Sequence, residues 1–457
     1  MNKKQGMAGA LAPEREPLDV LDELLTRAKT RGADAADAVL ADRRALSVAW
    51  RLGSQEQLER SEAQVVGLRV FVGRRQAIVS SSDVSPAALD EMLDRAIAMA
   101  HVVPEDPHCG LADPADILRA EVDVEACEPG EADPVVVSRR AAAAEAAALA
   151  VPGVTNSEGA EASAGTDRTA IAATNGLRRS YARSWHSVSV SVLAGEGTAM
   201  ERDYEYASAV WQEDLEDATT LGRRCGERAV RRLHPRKARS AQVPIVYEPR
   251  MARSLLGHLT GAINGSAVAR GTTSLGGRLE TQLFAPGVQI IDDPLRRRAL
   301  RSRPCDAEGI PSARRALIDD GVLTTWLLDL RSARQLGLRS TGHASRGTSS
   351  PPSPSPSNIY LEAGSITAND LVAGIDDGLL VTDLMGFGVN GVTGDYSRGA
   401  SGFWIEHGEI AYPVSEITVS GNLVAMFRDL TPASDLVFRY GTDSPTVRID
   451  GMTVAGR

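Results

Sequence analysis

The dipeptide Asn175-Gly176 stands between two long alternating runs, TDRTAIAAT and LRRSYARSWHSVSVSVLAG. A type I′ turn demands positive φ at both central residues, which Asn-Gly tolerates, so two long strands are expected to pair across it. Upstream, ADAVLAD, ALSVAWRL, QVVGLRVFVG and RQAIVSSS are short, alternating and β-branched, with a turn at Gly73. They predict an antiparallel meander. Helical spacing places Leu18, Leu21, Leu24 and Leu25 on one face of PLDVLDELLTRAK, and Ser85-Pro86 is an N-cap and first-turn pair opening AALDEMLDRAIAMAHVV. An alanine-rich helix is expected near residues 134–150. EDLEDATTLGRRCGERAVRRL reads as a long helix, acidic at its start and basic at its end. That polarity suits the helix dipole and explains its arginine cluster structurally.

At 457 residues the chain is long enough for two cores. Residues 1–16 read as a disordered tail, 17–236 as an N-terminal α/β domain of antiparallel strands and helices, and PRKARSAQVP as a linker. Residues 242–457 open with the strand PIVYEP and the helix RMARSLLGHLTGAI and then become β-rich and glycine-rich, giving an α+β, two-domain chain overall. The run SSPPSPSPSN, residues 349–358, lacks the donors for a regular ladder and is expected to be an exposed, mobile loop, or else a lid over a groove.

Composition narrows the function classes. Aromatic residues make up 4% of the chain, so Ala, Val and Leu must fill the cores. A net charge of -10 argues against nucleic acid as a partner. Lysine occurs only at Lys3, Lys4, Lys29 and Lys237, so arginine clusters reflect a chain-wide preference. Cys109, Cys127, Cys225 and Cys305 are scattered without CxxC spacing, which indicates neither a disulfide framework nor a zinc ribbon. The N-terminus lacks a signal-peptide core and no stretch reaches the ~18 apolar residues of a membrane helix, so a cytoplasmic location is expected.

Gly386-Phe-Gly388-Val-Asn-Gly391 matches the letters GxGxxG, but glycine-broken, strand-like sequence follows where a dinucleotide site needs a helix. His258 is the sole histidine of its helix and Leu259 stands where a metallopeptidase needs glutamate. His343 and His407 are distant in sequence, and Glu406-His407-Gly408-Glu409 has the form of a hairpin turn. The segment from Gly394 to Trp404 is the densest in chemistry, mixing Asp395, Tyr396, Arg398 and Trp404 with Gly394, Gly399, Ala400 and Gly402, which free the backbone. Its structural alternative is a set of tight crossings, with Asp395 pairing Arg398 locally.

That segment, continued as DLMGFGVNGVTGDYSRGASGFWIEHGEIAYPVSEITVSGNL, resembles the TldD/PmbA family, in its PmbA/TldE branch. MERDYEYA, LLGHLTGAI, DDGVLTTWLLDLRSARQLGLRSTGHA and VVGLRVFVG extend the likeness collinearly from about residue 18 to the C-terminus. The resemblance implies an α/β N-terminal domain, a β-rich C-terminal domain and a TldD–TldE heterodimeric zinc peptidase. The TldD-type subunit carries HExxxH on a helix and a cysteine ligand further on. Here the corresponding helix holds His258, with Leu259 and Ile263, or Arg253 and Ser254, at the other motif positions, and no cysteine follows Cys305.

The resemblance therefore implies no catalytic residue, metal ligand or cofactor in this chain, with zinc in a TldD-like partner subunit. It implies unfolded peptides as substrate, held as an added β-strand, and a homodimer when the chain is isolated. His258, His343, Asp395, Tyr396, Arg398 and Trp404 are the candidates for groove or partner contacts. Two other readings stand beside it: a peptidase active alone through His258, His343 and His407, and a DNA-associated regulator, after the family's label as a gyrase modulator. For the latter, RRCGERAVRRLHPRKARS and LRRRALRSR supply local basic patches.

Overall fold

Residues 16–456 are described by a computed structural model; of the expected tail, residues 1–15 lie outside the described residues. Helix α1 (Pro17–Thr30) buries Leu21, Leu24 and Leu25, the apolar stripe its spacing predicts. The runs ADAVLAD and ALSVAWRL are one strand, β1 (Ala35–Arg51), since no glycine or proline separates them. β2 (Ser54–Val72) begins with ten exposed residues, a polar extension that alternation could not reveal, and β3 (Arg75–Ser81) completes the meander. Helix α2 (Pro86–Val102) starts at Ser85, whose hydroxyl accepts from the Ala88 amide. α3 (Pro134–Leu149), β4 (Val154–Ala173), β5 (Arg178–Ala194), β6 (Glu201–Ala209) and α4 (Ala218–Arg231) follow.

The six strands form one antiparallel sheet in the order β3-β2-β1-β4-β5-β6. Its even-numbered β1 residues, Ala36, Ala38, Leu40, Leu46 and Val48, pack under the helices, α1 and α2 over one end and α3 beyond. α3 and α4 approach so closely that a Cβ on Gly222 would lie 2.0 Å from the Ala144 carbonyl oxygen. The first helical residue of α4 is Ala218, because Asp217 caps it by accepting from Thr220 at 2.8 Å; residues 213–217 of the expected helix precede it.

The hairpin between β4 and β5 exists, but its turn differs from expectation. Ala173 and Leu177 close a three-residue loop in which only Gly176 has positive φ, 90°. Asn175 instead uses its side-chain oxygen to accept from the Leu177 amide, so the loop is the three-residue kind with glycine last. Both positive φ values of a two-residue turn occur instead at His407 and Gly408, 51° and 80°, between paired Glu406 and Glu409.

The second half comprises β7 (Ala241–Tyr247), α5 (Pro249–Ala262), α6 (Gly265–Arg270), β8 (Ile290–Asp292), β9 (Arg315–Asp319), β10 (Val322–Leu323), α7 (Leu330–Leu336), β11 (Ala344–Ser345), β12 (Ser353–Pro354) and β13 (Ile359–Leu361). It continues through α8 (Ala368–Ala373), β14 (Asp377–Met385), β15 (Asp395–Glu406), β16 (Glu409–Asn422), α9 (Leu423–Arg428), β17 (Leu430–Pro432), β18 (Thr442–Asp443) and β19 (Val447–Ala455). Strands β16-β15-β14-β7-β19 run side by side, and β19 pairs back onto β16 to close a ring; only the β7–β14 pairing is parallel. A second sheet, β10-β9-β8-β13-β18, shares its core with α5. The fold is thus α+β. No helix among the described residues is long and apolar enough to cross a membrane.

The Ser-Pro run is not the free loop expected of it. Ser353 and Pro354 pair with Ser345 and Ala344, Pro352 and Pro354 are buried, and Asn264 donates to the Pro354 carbonyl at 2.9 Å. A short edge strand asks few donors of its prolines, and alternation turns every second residue inward. The residues just before this run, Arg346 and Thr348, join the two halves. A Cβ on Gly67 of β2 would lie 1.9 Å from the Thr348 carbonyl oxygen, and buried Asp37 of β1 is shared by Arg69 of β2 and Arg346.

Candidate functional site

Helix α5 is anchored at its first turn. Arg250 donates to Asp203 of β6 at 3.0 Å, to the Tyr204 carbonyl at 2.5 Å and to the Thr382 carbonyl at 3.0 Å. The last of these is available because β14 breaks register between Val381 and Asp383. Two turns further on, His258 meets the buried ring of Tyr396 edge-to-face, with centroids 5.9 Å apart. Its Nε2 is buried without a hydrogen-bond partner. Burial, reinforced by the positive charge of Arg398, holds its imidazole below the ordinary value. Arg398 itself donates from Nε to the Met385 carbonyl at 3.2 Å.

Three of the six residues singled out from sequence, His258, Tyr396 and Arg398, therefore come together between α5 and β15. The others do not join them. Trp404 is 1% exposed in the core. Asp395 accepts from the Thr393 hydroxyl at 2.7 Å, not from Arg398, which corrects the expected local pair. His343 is buried with Asp292 at 3.2 Å and the Thr341 hydroxyl at 2.8 Å, in a network that Ser357 of the Ser-Pro run completes. His407 sits on its exposed turn beside Asp376. The three histidines of the lone-peptidase reading are thus in separate surroundings.

Profile models of the PmbA/TldA metallopeptidases match residues 36–100 as domain 1, 128–233 as the central domain and 240–456 as the C-terminal domain. Metalloprotease PmbA of Escherichia coli O157:H7 is 36% identical over 427 residues, 93% of each chain. This chain belongs to the PmbA/TldD metallopeptidase family. A PmbA homolog of Haemophilus influenzae is 34% identical over 430 residues, again 93% of each chain. Among solved PmbA/TldD-like folds, a putative modulator of DNA gyrase from Bacteroides thetaiotaomicron superposes with a TM-score of 0.89 at 26% identity, covering 96% of this chain and 98% of that one. TldE from Thermococcus kodakarensis shares the fold, with a TM-score of 0.85 at 18% identity over 96% and 100% of the two chains.

A metallopeptidase family implies zinc, and the surroundings of His258 do not fit it. Leu259 and Ile263 are 0% exposed, locked in the core where a base and a second imidazole would have to reach a site. In the other register Arg253 donates to the Tyr206 hydroxyl at 2.6 Å and Ser254 to the Met251 carbonyl at 2.6 Å. One imidazole beside a guanidinium offers a cation a single ligand and a repelling charge. Among the described residues no three His, Cys, Asp or Glu side chains gather closely enough to hold a metal.

The basic patches are largely neutralised within the fold. Arg224 pairs with Glu205 and Glu216, Arg228 with Glu205 and Glu248, and Arg232 with Glu201, Asp203 and Asp383. Arg297 and Arg298 share Glu125. Arg301 and Arg303, the last two arginines of LRRRALRSR, have no carboxylate partner among the described residues and line a cleft of about 1040 Å³ walled by β4, β5, the coil over residues 121–129, the segment 301–307 and the Ser-Pro run. Sequence reasoning passed over this cleft. Its local signals are the spacing Arg179-x-Tyr181-x-Arg183 on one strand and the end of the basic run LRRRALRSR.

Proposed function

We propose that this chain is the non-zinc subunit of a two-protein metallopeptidase, helping a TldD-type partner to enclose unfolded peptide while the partner supplies the metal and the base. The observation that carries the reading is the state of α5. The helix that would present the zinc motif instead presents one imidazole to Tyr396 and Arg398 and buries Leu259 and Ile263. Neither neighbour can take a proton from a metal-bound water as glutamate does. The reading is supported by the 36% identity to a metalloprotease named PmbA and by the shared fold with TldE. A cytoplasmic site of action accords with it.

The test is coexpression with a homologue bearing HExxxH, followed by elemental analysis and peptide hydrolysis by each chain and by the complex. Stoichiometric zinc and activity are expected in the complex alone, and both are lost when the partner's motif is mutated. Chelator-removable zinc at one ion per chain, with peptidase activity, in this chain by itself would overturn the proposal.

A further inference from the structure

Four arginines in the cleft, Arg179, Arg183, Arg301 and Arg303, form no ion pair with any carboxylate among the described residues, whereas Arg224 and Arg228 of α4 and Arg232 just after it do. Their donors go largely to main-chain carbonyls: Arg183 to Leu300 and Ser302 at 2.7 and 2.6 Å, Arg303 to Ser355 at 2.8 Å, and Arg179 to Leu118 and Ala120 at 2.5 and 2.8 Å. These bonds fix the guanidiniums in place without cancelling their charge. Two donors remain over: Nε of Arg303 and Nη2 of Arg346 are buried without partners, and the Arg346 side chain is only 1% exposed. Buried charged donors are ordinarily satisfied, so a polar acceptor is missing from this wall.

The acids nearby do not supply it. Glu125 is taken by Arg297 and Arg298, Asp167 lies 3.7 Å from Arg43, and the Asp306 carboxylate already accepts from the main-chain amides of Glu308, Ile310 and Ala344. Glu121 and Asp123 are exposed. Spacing then indicates the form of the ligand. Arg179, Tyr181 and Arg183 alternate along one face of β5, and Arg301 and Arg303 are likewise two residues apart. Residues i and i+2 of an extended chain recur every ~6.8 Å, so side chains of a second extended strand can meet these charges in step. A lone inorganic anion would leave most of a 1040 Å³ cleft unfilled.

We propose that this cleft binds an extended acidic peptide, whose carboxylates pair with Arg179, Arg183, Arg301 and Arg303 and whose apolar groups lie against Tyr181 and Trp211. The proposal deepens the peptide-holding reading and rests on it in taking a peptide as the ligand. It is tested on the full chain alone, so its failure leaves the zinc and pairing results of the complex untouched, and theirs leaves the binding result untouched.

Fluorescence anisotropy would compare a short labelled peptide alternating glutamate and serine with its glutamine counterpart. Binding of the acidic peptide alone is expected, weakening with salt, about tenfold weaker in Arg301→Gln and weaker again when Arg179→Gln is added. Arg339→Gln, which removes the same charge at a site 92% exposed, is expected to bind as the parent does. Thermal scans confirm that each variant is folded, and Arg301 is exposed enough to change without repacking. Equal binding of the glutamine peptide, equal weakening by Arg339→Gln, displacement by equimolar inorganic phosphate, or tighter binding of a single-stranded oligonucleotide would each overturn the proposal.

Discussion

Replacing Asp37 with asparagine should separate the two halves energetically. Asp37 is 3% exposed, and its carboxylate accepts from Arg69 Nε at 2.9 Å, from Arg69 Nη2 and from Arg346 Nη1. The side chains of Arg69 and Arg346 are 5% and 1% exposed, so Asp37→Asn keeps the shape and strands two buried cations. Breaking a buried pair by removing one partner destabilises by about 3–5 kcal/mol, mostly through the uncompensated charge left behind. Burial alone would raise the Asp37 carboxyl, but the two guanidiniums outweigh it and hold the group below 3.8. A carboxyl depressed in the folded state stabilises fully above its unfolded pKa and loses that contribution as pH falls through the folded value. The deficit of Asp37→Asn is therefore constant near neutral pH and shrinks only in acid. Urea unfolding of Asp37→Asn, Arg346→Met and the double variant forms the decisive cycle, with a coupling of about 1–3 kcal/mol expected because Arg346→Met removes the stranded charge. A neutral-pH deficit under ~1 kcal/mol, or simple additivity, would refute the triad as the link between the halves.

Glu308→Gln should flatten the pH dependence of stability. Burial, with Asp306 adding its charge, raises the Glu308 carboxyl, so the folded state keeps this proton longer than the unfolded one and stability falls as pH rises above 4.5 toward the folded value. Identical Tm-against-pH curves for parent and variant would contradict this. Gly222→Ala should lose about 1–3 kcal/mol by driving a methyl toward the Ala144 carbonyl, read from the shift in denaturation midpoint at unchanged slope. His258→Leu should stay within about 1 kcal/mol of the parent, since it replaces an imidazole whose Nε2 has no partner, and should leave the zinc content of a TldD-type complex unchanged. A drop in that zinc content would assign His258 to the metal after all.

Local chemistry was legible where one segment decides the outcome. The stripe Leu21, Leu24, Leu25, the Ser85 cap, the His407-Gly408 turn and helix α5 each follow from a few adjacent residues. Where a distant segment decides, the reading failed. The polar half of β2 is a strand because β1 lies beside it, and the Ser-Pro run is ordered because β11 and Asn264 receive it. Asn175 shows a subtler limit, its side-chain bond to Leu177 selecting one turn among those the dipeptide allows. Of the site, the meeting of His258, Tyr396 and Arg398 was within reach because the last two share one strand face. The cleft was not, because an arginine counts as unpaired only once every neighbour in space is known.

The ring of strands in the second half sets the order in which the molecule can assemble. Ile245 of β7 faces Leu379 on one side and Ile449 on the other, so the first strand of the ring must wait for partners made far later in synthesis. The meander β1-β2-β3, by contrast, closes through tight local turns. Non-local pairing of the first kind is slow and leaves edges open meanwhile. A nascent chain should therefore leave the ribosome with a finished first half and an unsealed second one, the interval in which a chaperone would be needed most.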